Sequence, residues 1–399
     1  MRVTALGRRT PAPVPIRTIA VLGGLALLLL GVIAALVGSQ RHVPAPFGPA
    51  VNGSVAFVRP GPGYENQSGY HEPFGDIVAV DPATGTSSVL VGGPDLDGEP
   101  AWSLDGTRLA FVRQLDGGVA LFVVDGRGGA PVRLTEGALA SVREAAWSPD
   151  GRSIAFTSTR GTDSDLWIAA ADGSGAHPLD LPISVVAPRW RPPDGRELLV
   201  VGSALPGVAA LSGYDGMLHG VDDAEMASGL GLFLVDPKGA RLRPVTSADG
   251  RAWDYGHTSF TPDGRTIVTQ VSDTPFDYLR IQLLTDDGVE VGAIYPDGLS
   301  ADALAPSVSP DGTQIAYGVL TQDQHWRIHV RGIDGGRETI LDHEFTGAGA
   351  AFRWSPDAQE IVVNHHYFLQ TWLLPVDGTT ARQAGWMDPG YAAWQRTAP

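Results

Sequence analysis

Six segments of this chain repeat one phrase, in which a large apolar anchor is followed by a turn containing aspartate and then by an apolar run. The copies read PAWSLDGTRLAFV from Pro100, AAWSPDGRSIAFT from Ala145, PRWRPPDGRELLVV from Pro188, TSFTPDGRTIVTQ from Thr258, PSVSPDGTQIAYG from Pro306 and FRWSPDAQEIVVN from Phe352. The anchors are Trp102, Trp147, Trp190, Phe260, Val308 and Trp354, with Trp394 as a seventh. Successive anchors lie 45, 43, 70, 48, 46 and 40 residues apart, and an insertion accounts for the longest interval. This period gives room for four short strands, which is typical of one blade of a β-propeller.

The turns between the apolar runs have a chemistry of their own. Proline presets φ at the second position of a type I turn, aspartate bonds to nearby amides, and glycine accepts a positive φ, as in Pro149-Asp150-Gly151. The apolar runs themselves alternate or continue over short lengths, which indicates strands. The sequence therefore predicts an all-β chain. Its aspartate turns lie at one end of each blade, called here the turn end, and its variable connections lie at the opposite end, called the loop end.

The two extremities of the repeat region complement each other. The first copy begins at Ser54–Arg59 (SVAFVR) without an anchor segment before it, and the missing strand is found at Tyr391–Arg396 (YAAWQR). A C-terminal strand that completes the N-terminal blade closes the ring and removes an exposed sheet edge. The sequence predicts a propeller of seven blades, each of four antiparallel strands, over residues 51–399 with an insertion at 202–229.

One stretch of the chain resembles a known family. The segment IAFTSTRGTDSDLWIAAADGSGAHPL, from Ile154 to Leu179, is similar to the repeat of TolB-like propellers in its order of strand, short loop, strand with an aspartate and an aromatic residue, and Asp-Gly turn. The resemblance covers roughly Val51 to Arg396 and implies a β-propeller fold. Because propellers host many unrelated activities, the resemblance indicates the fold and leaves the function open.

The N-terminal segment Thr18–Val37 (TIAVLGGLALLLLGVIAALV) is twenty residues without a charge, which is long enough to cross a bilayer as one helix. The residues before it include Arg2, Arg8, Arg9 and Arg17. This positive charge predicts that the N-terminus stays in the cytoplasm. We therefore expect a single-pass protein of the plasma membrane, with cytoplasmic residues 1–17, an anchor at 18–37, a Pro-rich spacer at 38–50 and an extracytoplasmic propeller.

The composition excludes several classes of function. A net charge of −16 argues against a nucleic-acid partner, because no basic patch is available to neutralise phosphates. The chain has no cysteine, so packing between blades must supply the stability of an exported domain without disulfides. No Gly-x-Ser-x-Gly elbow and no phosphate-binding Gly-Lys-Ser/Thr motif occur, so serine peptidase and nucleotidase activity are not expected. We expect a monomer.

Aromatic, imidazole and carboxylate side chains collect in the segments that are assigned to the loop end. The predicted ligand- or partner-binding residues are Tyr70, His71, Tyr214, His219, Trp253, Asp254, Tyr255, His257, His365, His366 and Tyr367. His325, His343 and Glu344 are assigned to the same end. Loops of variable length on a rigid scaffold commonly carry binding sites, and this chemistry suits a protein loop, a sugar or a metal ion.

Two functions remain open from the sequence. The first is a binding module without catalysis or cofactor, whose partner is a protein or a cell-envelope glycan. The alternative comes from a resemblance to the oligogalacturonate lyases, TolB-like propellers that use a metal held by histidines, and it implies polysaccharide lyase activity with a divalent metal ion. For this alternative the expected ligands are His71, His219, His257 and either His365 or His366. A metal site requires such ligands to converge on one ion.

Overall fold

Short apolar segments between aspartate and glycine turns form antiparallel strands in this computed structural model. The structure describes residues 48, 50–60, 74–160, 163–203, 230–239, 241–246, 257–271, 279–295, 301–321, 325–346, 350–365, 370–386 and 392–398. The strands are β1 (Val51–Pro60), β2 (Gly75–Val80), β3 (Ser87–Val91), β4 (Asp97–Trp102), β5 (Arg108–Leu115), β6 (Gly118–Asp125), β7 (Val132–Arg133), β8 (Arg143–Trp147), β9 (Ser153–Arg160), β10 (Asp163–Ala170), β11 (Ala176–Pro178), β12 (Ser184–Trp190), β13 (Leu198–Ser203), β14 (Leu230–Val235), β15 (Leu242–Pro244), β16 (Ser259–Phe260), β17 (Ile267–Val271), β18 (Arg280–Leu284), β19 (Glu290–Ile294), β20 (Ala301–Val308), β21 (Gln314–Thr321), β22 (His325–Gly332), β23 (Glu338–Ile340), β24 (Phe345–Thr346), β25 (Ala350–Trp354), β26 (Glu360–His365), β27 (Gln370–Pro375), β28 (Arg382–Gln383) and β29 (Ala393–Thr397). The described residues contain no helix, which confirms the all-β prediction for them.

Strands pair with their neighbours along the chain. Among the described residues, five sheets are built from consecutive strands, namely β8–β11, β12–β15, β16–β19, β20–β23 with β24 added to β22, and β25–β28. A further sheet of eight strands joins the group β29-β1-β2-β3 to the group β4-β5-β6-β7 through the pair Gly75↔Asp97. Successive four-stranded antiparallel groups are the architecture of a β-propeller.

The C-terminal strand pairs with the first strand, as the sequence predicts. β29 lies antiparallel to β1, with Val51 opposite Thr397 and Val55 opposite Trp394. The indole N–H of Trp394 donates to the Gly53 carbonyl at 3.2 Å. Strand β29 begins at Ala393 and ends at Thr397, so it is displaced by one or two residues from the predicted Tyr391–Arg396.

Tryptophan anchors link one sheet to the next. Trp326 of β22 and Phe352 of β25 share one buried cluster, so the core lies between neighbouring sheets. Three anchors each donate the indole N–H to a backbone carbonyl of the sheet before them. In each case the acceptor is the residue immediately before the anchor of that sheet. These bonds run from Trp147 Nε1 to the Ala101 carbonyl (2.9 Å), from Trp190 Nε1 to that of Ala146 (2.9 Å) and from Trp354 Nε1 to that of Ser307 (3.0 Å). These bonds satisfy three indole N–H groups and tie each of the three sheets to the one before it.

The turn end repeats one hydrogen-bonded structure. After β4, Ser103 Oγ donates to Asp105 Oδ1 at 2.6 Å, the Thr107 amide donates to the same oxygen at 3.0 Å, and Gly106 has a φ of 68°. The same hydroxyl-to-aspartate bond recurs in the pairs Ser148–Asp150, Thr261–Asp263, Ser309–Asp311 and Ser355–Asp357. Burial opposes ionisation of Asp105, but the bonds from Ser103 and Thr107 outweigh it and hold the pKa of this carboxyl below its usual value.

The predicted anchor Thr18–Val37 lies outside the described residues. Within the residues that are described, no helix is long and apolar enough to cross a membrane.

Candidate functional site

Most of the predicted binding residues lie outside the part of the chain that the structure describes. These are Tyr70, His71, Tyr214, His219, Trp253, Asp254, Tyr255, His366 and Tyr367. His365 is the last residue of β26, where its backbone pairs with Ala350 and Gln370. His257 is described, partly buried, and lies three residues before the anchor Phe260. Both histidines therefore lie at the loop end of their sheets, because β26 ends there and β16 begins there.

In four of the four-stranded groups, the first strand has the same irregularity three residues before its own anchor residue. The pairing of β4, β8, β12 and β20 with the following strand shifts register at this point. The residues with positive φ are Glu99 (48°), Glu144 (58°), Ala187 (54°) and Ala305 (52°). A positive φ is uncommon outside glycine, so the surrounding packing must hold these β-bulges in place. His257 occupies the corresponding position before Phe260.

Side chains of the preceding sheet fasten two of these bulges. Glu144 Oε2 accepts a hydrogen bond from the Ala187 amide at 2.6 Å, and Gln270 Oε1 accepts one from the Ala305 amide at 2.7 Å. Gln270 is 1% exposed, so its amide group is committed to this bond inside the protein. The bulges thus join adjacent sheets near the loop end and give the connections there a rigid base.

A buried ion pair lies at the loop end of β4 and β5. Asp97 is fully buried, and Arg113 holds it with both Nε to Oδ1 (2.6 Å) and Nη2 to Oδ2 (2.9 Å). Burial raises the pKa of Asp97, although the bonds from Arg113 oppose this shift. The guanidinium also lies over the rings of Phe111 and Phe122 and reaches Asp95 at 3.0 Å. Because its N–H groups contact Asp97 and Asp95 and it lies near two rings, Arg113 is a clamp between strands rather than an open binding site.

Four rings form a continuous row between the β20–β24 sheet and the β25–β28 sheet. We call Trp326, Phe345, His343 and Trp372 the aromatic row. Trp326 stacks on Phe345 with centroids 4.4 Å apart, Phe345 meets His343 edge-on at 4.5 Å, and His343 stacks on Trp372 at 3.7 Å. Trp326 and Phe345 are buried, whereas His343 and Trp372 are partly exposed. The row therefore runs from the core to the surface at the loop end, where β22 and β27 begin.

A charged group lies at the same end on the other face of β22, because His325 and Arg327 alternate with Trp326 along the strand. The carboxylate of Glu344 accepts a hydrogen bond from Arg327 Nε at 3.0 Å and contacts His325 Nδ1 at 3.0 Å. We call Glu344, Arg327 and His325 the Glu344 cluster. Its side chains are 43%, 51% and 39% exposed, so water or a ligand can reach all three. The strand pair β22–β24 positions the cluster, because His325 lies opposite Thr346.

A second polar group lies away from the loop end, across β21, β22 and β23. The buried Tyr317 hydroxyl donates to Glu338 Oε1, and His329 Nδ1 contacts the same oxygen at 2.8 Å. Burial raises the pKa of Tyr317, and the neighbouring Glu338 carboxylate raises it further. Burial opposes ionisation of Glu338, but the bonds from Tyr317 and His329 lower its pKa. A tyrosine that is held protonated in this way serves as a fixed hydrogen-bond donor.

The described residues contain no group of three or more histidine, cysteine, aspartate or glutamate side chains arranged to hold a metal ion. Of the predicted ligands, the structure describes His257 and the backbone of His365. The described loop end therefore offers a row of rings and, on the other face of β22, a mixed cluster of charges. The rings can stack on a planar or sugar ring, and the cluster can pair with a charged group.

Sequence reasoning placed His325, His343 and Glu344 at the loop end, where the structure brings His325 into contact with Glu344 and stacks His343 on Trp372. It missed the residues that complete the arrangement, Trp326, Phe345 and Trp372, as well as Arg327. A signal was present in the sequence, because Trp326 follows His325 directly and Trp372 is the third residue of β27. The stacking itself depends on β24, a two-residue strand that no pattern predicts.

Comparison with known proteins identifies relatives of part of the chain. Residues 70–205 match the family described as the TolB beta propeller domain. A protein of Bacillus subtilis named as an uncharacterized peptidase is 30% identical over 201 residues, which are 45% of this chain and 30% of that protein. The Tol-Pal system protein TolB of Anaeromyxobacter dehalogenans is 34% identical over 118 residues, which are 29% of this chain and 26% of that protein. This chain thus spans less than a third of the length of these curated relatives.

Solved structures resemble a larger part of the chain. An oligogalacturonate lyase in complex with manganese has a TM-score of 0.59 at 14% identity, over 78% of this chain and 84% of the other. An oligogalacturonate lyase from Vibrio parahaemolyticus has a TM-score of 0.56 at 14% identity, over 84% of this chain and 86% of the other. A functionally unknown protein from Desulfotomaculum acetoxidans gives 0.55 at 12% identity, over 87% and 99%. At these identities the likeness establishes the fold alone.

Proposed function

We propose that this chain, which carries a TolB-like β-propeller, is a binding module that performs no catalysis. In this proposal it binds a protein or a cell-envelope glycan at its loop end and acts as a monomer. We also infer seven blades, the first completed by β29, and a single membrane crossing by Thr18–Val37. The N-terminus is then cytoplasmic, and the propeller lies on the extracytoplasmic side of the plasma membrane.

The observation that carries the proposal is the aromatic row, with the Glu344 cluster at the same end on the other face of β22. His343 stacks on Trp372 at 3.7 Å, and their partly exposed rings are anchored to the core through Phe345 and Trp326. A ring surface that is already ordered loses little conformational entropy when a ligand stacks on it. The rings of this surface are therefore suited to an aromatic side chain or to the face of a sugar.

The Glu344 cluster adds charge recognition at the same end. Arg327 is half exposed and shares the carboxylate of Glu344 with His325. Because exposed ion pairs of this kind are worth only ~0–1 kcal/mol, a ligand carboxylate can replace Glu344 at little cost. An acidic side chain and a uronic acid both satisfy this requirement, so the cluster fits either partner class of the proposal.

The test uses the purified full chain as bait. Proteins are captured from a cell-envelope extract, and glycans are tested on an array of peptidoglycan and acidic polysaccharide fragments. The variant Arg327→Ala with Trp372→Ala is expected to lose the captured partner or the array signal. Arg265→Ala is the matched control, because Arg265 is 86% exposed at the turn end. Equal capture by both variants, at equal thermal stability, contradicts a loop-end site.

The membrane proposal has its own test. In intact cells, an epitope tag after Pro399 is expected to be accessible to added protease and a tag before Met1 is expected to be protected. The chain is expected in the membrane fraction after an alkaline wash. Release of an intact chain by that wash contradicts the single crossing.

The second candidate is a metal-dependent polysaccharide lyase on the same scaffold. Its support is the likeness to the manganese complex of an oligogalacturonate lyase, together with His257 and His365 at the loop end. The described residues alone do not complete a metal site, so no catalytic step is assigned to them. Elemental mass spectrometry of the chain purified without a histidine tag separates the two candidates. One transition metal per chain that is lost in His257→Ala favours the lyase, whereas an unchanged metal content in this variant favours the binding module.

A further inference from the structure

The outermost strand of each four-stranded group is a sheet edge, and most of these edges are short. Strands β7 and β28 have two residues each, and β11, β15 and β23 have three each. β3 and β19 are longer, with five residues each. An edge strand presents unpaired backbone N–H and C=O groups to any extended chain, and short edges limit that risk. β3 and β19 are therefore the described outer edges long enough to accept an added strand.

The two long edges differ in their side chains. β19 and its flanks expose Val289 (56%), Val291 (57%) and Tyr295 (62%). β3 begins with the exposed pair Ser87 and Ser88. A strand added to β19 would therefore bury apolar surface in addition to pairing its backbone, whereas a strand added to β3 would cover mainly hydroxyl groups.

Tyr295 is held in position by the strand beside it. The guanidinium of Arg280 lies 5.7 Å from the Tyr295 ring, and its Nη1 reaches Glu290 Oε2 at 3.5 Å. Arg280 is only 9% exposed, so it supports the ring from inside the sheet. An exposed tyrosine on such a support is typical of the residues that contribute most to a protein interface.

Charge indicates what kind of chain fits this edge. Asp287 and Glu290 are exposed beside the apolar residues, and the whole chain carries a net charge of −16. A second copy of the chain also carries a net charge of −16, and this like charge disfavours self-pairing. A basic segment meets the opposite charge and is steered toward it.

We propose that the outer edge of β19 binds an extended segment of a basic partner protein, which adds a strand to the β16–β19 sheet. The segment alternates lysine or arginine with β-branched residues, so that one side contacts Val291 and Tyr295 and the other side stays in solvent. This surface belongs to the β16–β19 sheet, whereas the aromatic row and the Glu344 cluster are built from other sheets, and the inference does not depend on the function proposed for them.

The experiment measures binding of a labelled peptide to the purified full chain by fluorescence anisotropy. The probe is KVTVKVTV with acetylated and amidated ends, and its counterpart EVTVEVTV reverses the charge. A third peptide carries N-methyl groups on every second residue along one edge, which removes the donors that pair with β19. Val291→Lys introduces a like charge on the edge. Val89→Lys on β3 is the matched control, since Val89 is 50% exposed on the other long edge.

The proposal expects saturable binding of the basic peptide, weakened about tenfold or more by Val291→Lys and by N-methylation along one edge. Val89→Lys is expected to bind like the unchanged chain. Hydrogen exchange is expected to slow at β19 and not at β3 when the peptide is added. Three results overturn the proposal: no saturation at about millimolar peptide, equal affinity for the acidic peptide, or equal weakening by Val89→Lys. Self-association that Val291→Lys abolishes identifies a second copy as the occupant and also overturns it.

Discussion

The turn end and the loop end of the same sheets are built by different means. At the turn end, Ser103 donates to Asp105, and the same bond recurs after four further anchors, so each turn is stabilised by its own residues. At the loop end, Ala187 is held by Glu144 of another sheet, and the aromatic row spans two sheets. The difference teaches that the repeated turn chemistry is local, whereas the arrangement of the loop end depends on contacts between sheets.

The largest expected effect comes from removing the strand that joins the two extremities of the propeller. Deletion of residues 391–399 removes β29, including Trp394, which is 9% exposed. It also removes the bond from Gln395 Nε2 to the Gly106 carbonyl (2.8 Å). We expect a loss of several kcal/mol of stability, because β1 becomes an open edge and an anchor site is emptied. Thermal unfolding measures this, and a truncated chain that melts at the unchanged temperature would show that β29 does not close the structure.

Two glycines at the turn end allow the cost of a left-handed backbone conformation to be measured separately from the cost of steric crowding. Gly106 and Gly151 both have a φ of 68°, but an added Cβ lies 1.7 Å from the Arg396 carbonyl oxygen at Gly106 and 3.1 Å from the flexible Arg108 side chain at Gly151. Gly151→Ala is expected to cost about 1–2 kcal/mol for the left-handed conformation alone. Gly106→Ala is expected to cost about 3 kcal/mol or more, since β29 must also move. Denaturant unfolding of both variants checks the order, and equal costs contradict the contact with β29.

The turn aspartates predict a loss of stability in acid. The hydrogen bonds of Asp105 lower its pKa in the folded state, so its contribution is present above the unfolded value of about 3.9 and is lost as the pH falls through the lower, folded value. Asp105→Asn is expected to cost about 1 kcal/mol at neutral pH and to flatten the acid limb of the stability curve. Asp116→Asn, at an exposed position of the loop end, is the control. If Asp105→Asn leaves the loss of stability at low pH unchanged, that loss does not come from Asp105.

One turn allows the comparison to be tested by a substitution that is expected to increase stability. Ala358 has a φ of 60° at the position where the other copies have glycine, such as Gly312 with 74°. Glycine adopts this conformation without the Cβ penalty, so Ala358→Gly is expected to raise stability by about 0.5–1 kcal/mol. Calorimetry should show a higher melting temperature. A lower one would mean that the buried Cβ of Ala358 contributes more to packing than it costs in conformation.

The smallest effect on stability is expected at the loop end. Glu344→Gln removes the charge that Arg327 and His325 share, but all three side chains are substantially exposed. We expect a change below about 0.5 kcal/mol, because solvent screens such pairs. Thermal unfolding at low and high salt measures it, with Arg265→Ala at the turn end as the reference. A loss of stability as large as that of Asp105→Asn would mean that side chains at the loop end contribute as much to stability as the aspartates of the turn end.

Much of the fold is readable from the sequence because its determinants are local. The anchor tryptophans, the aspartate turns and the match of Ser54–Arg59 with the C-terminal YAAWQR segment are written in consecutive residues, and each acts within a few positions. The pairing of β29 with β1 follows from the same pattern, since an incomplete first copy needs a fourth strand. The named candidates His71, His219 and Tyr367 lie outside the described residues and stay predictions.

Only the tertiary structure decided which residues meet at the loop end. His343 and Trp372 belong to different sheets, and Glu144 reaches an amide 43 positions further along the chain, so no local pattern encodes either contact. The same holds for Val291 and Tyr295, which read in sequence as an ordinary apolar strand and are exposed because β19 has no outer neighbour among the described residues. Local sequence determines strands and turns through short-range sterics and hydrogen bonds. The surfaces at the loop end and at the sheet edges arise from how separate sheets pack, and that depends on the whole chain at once.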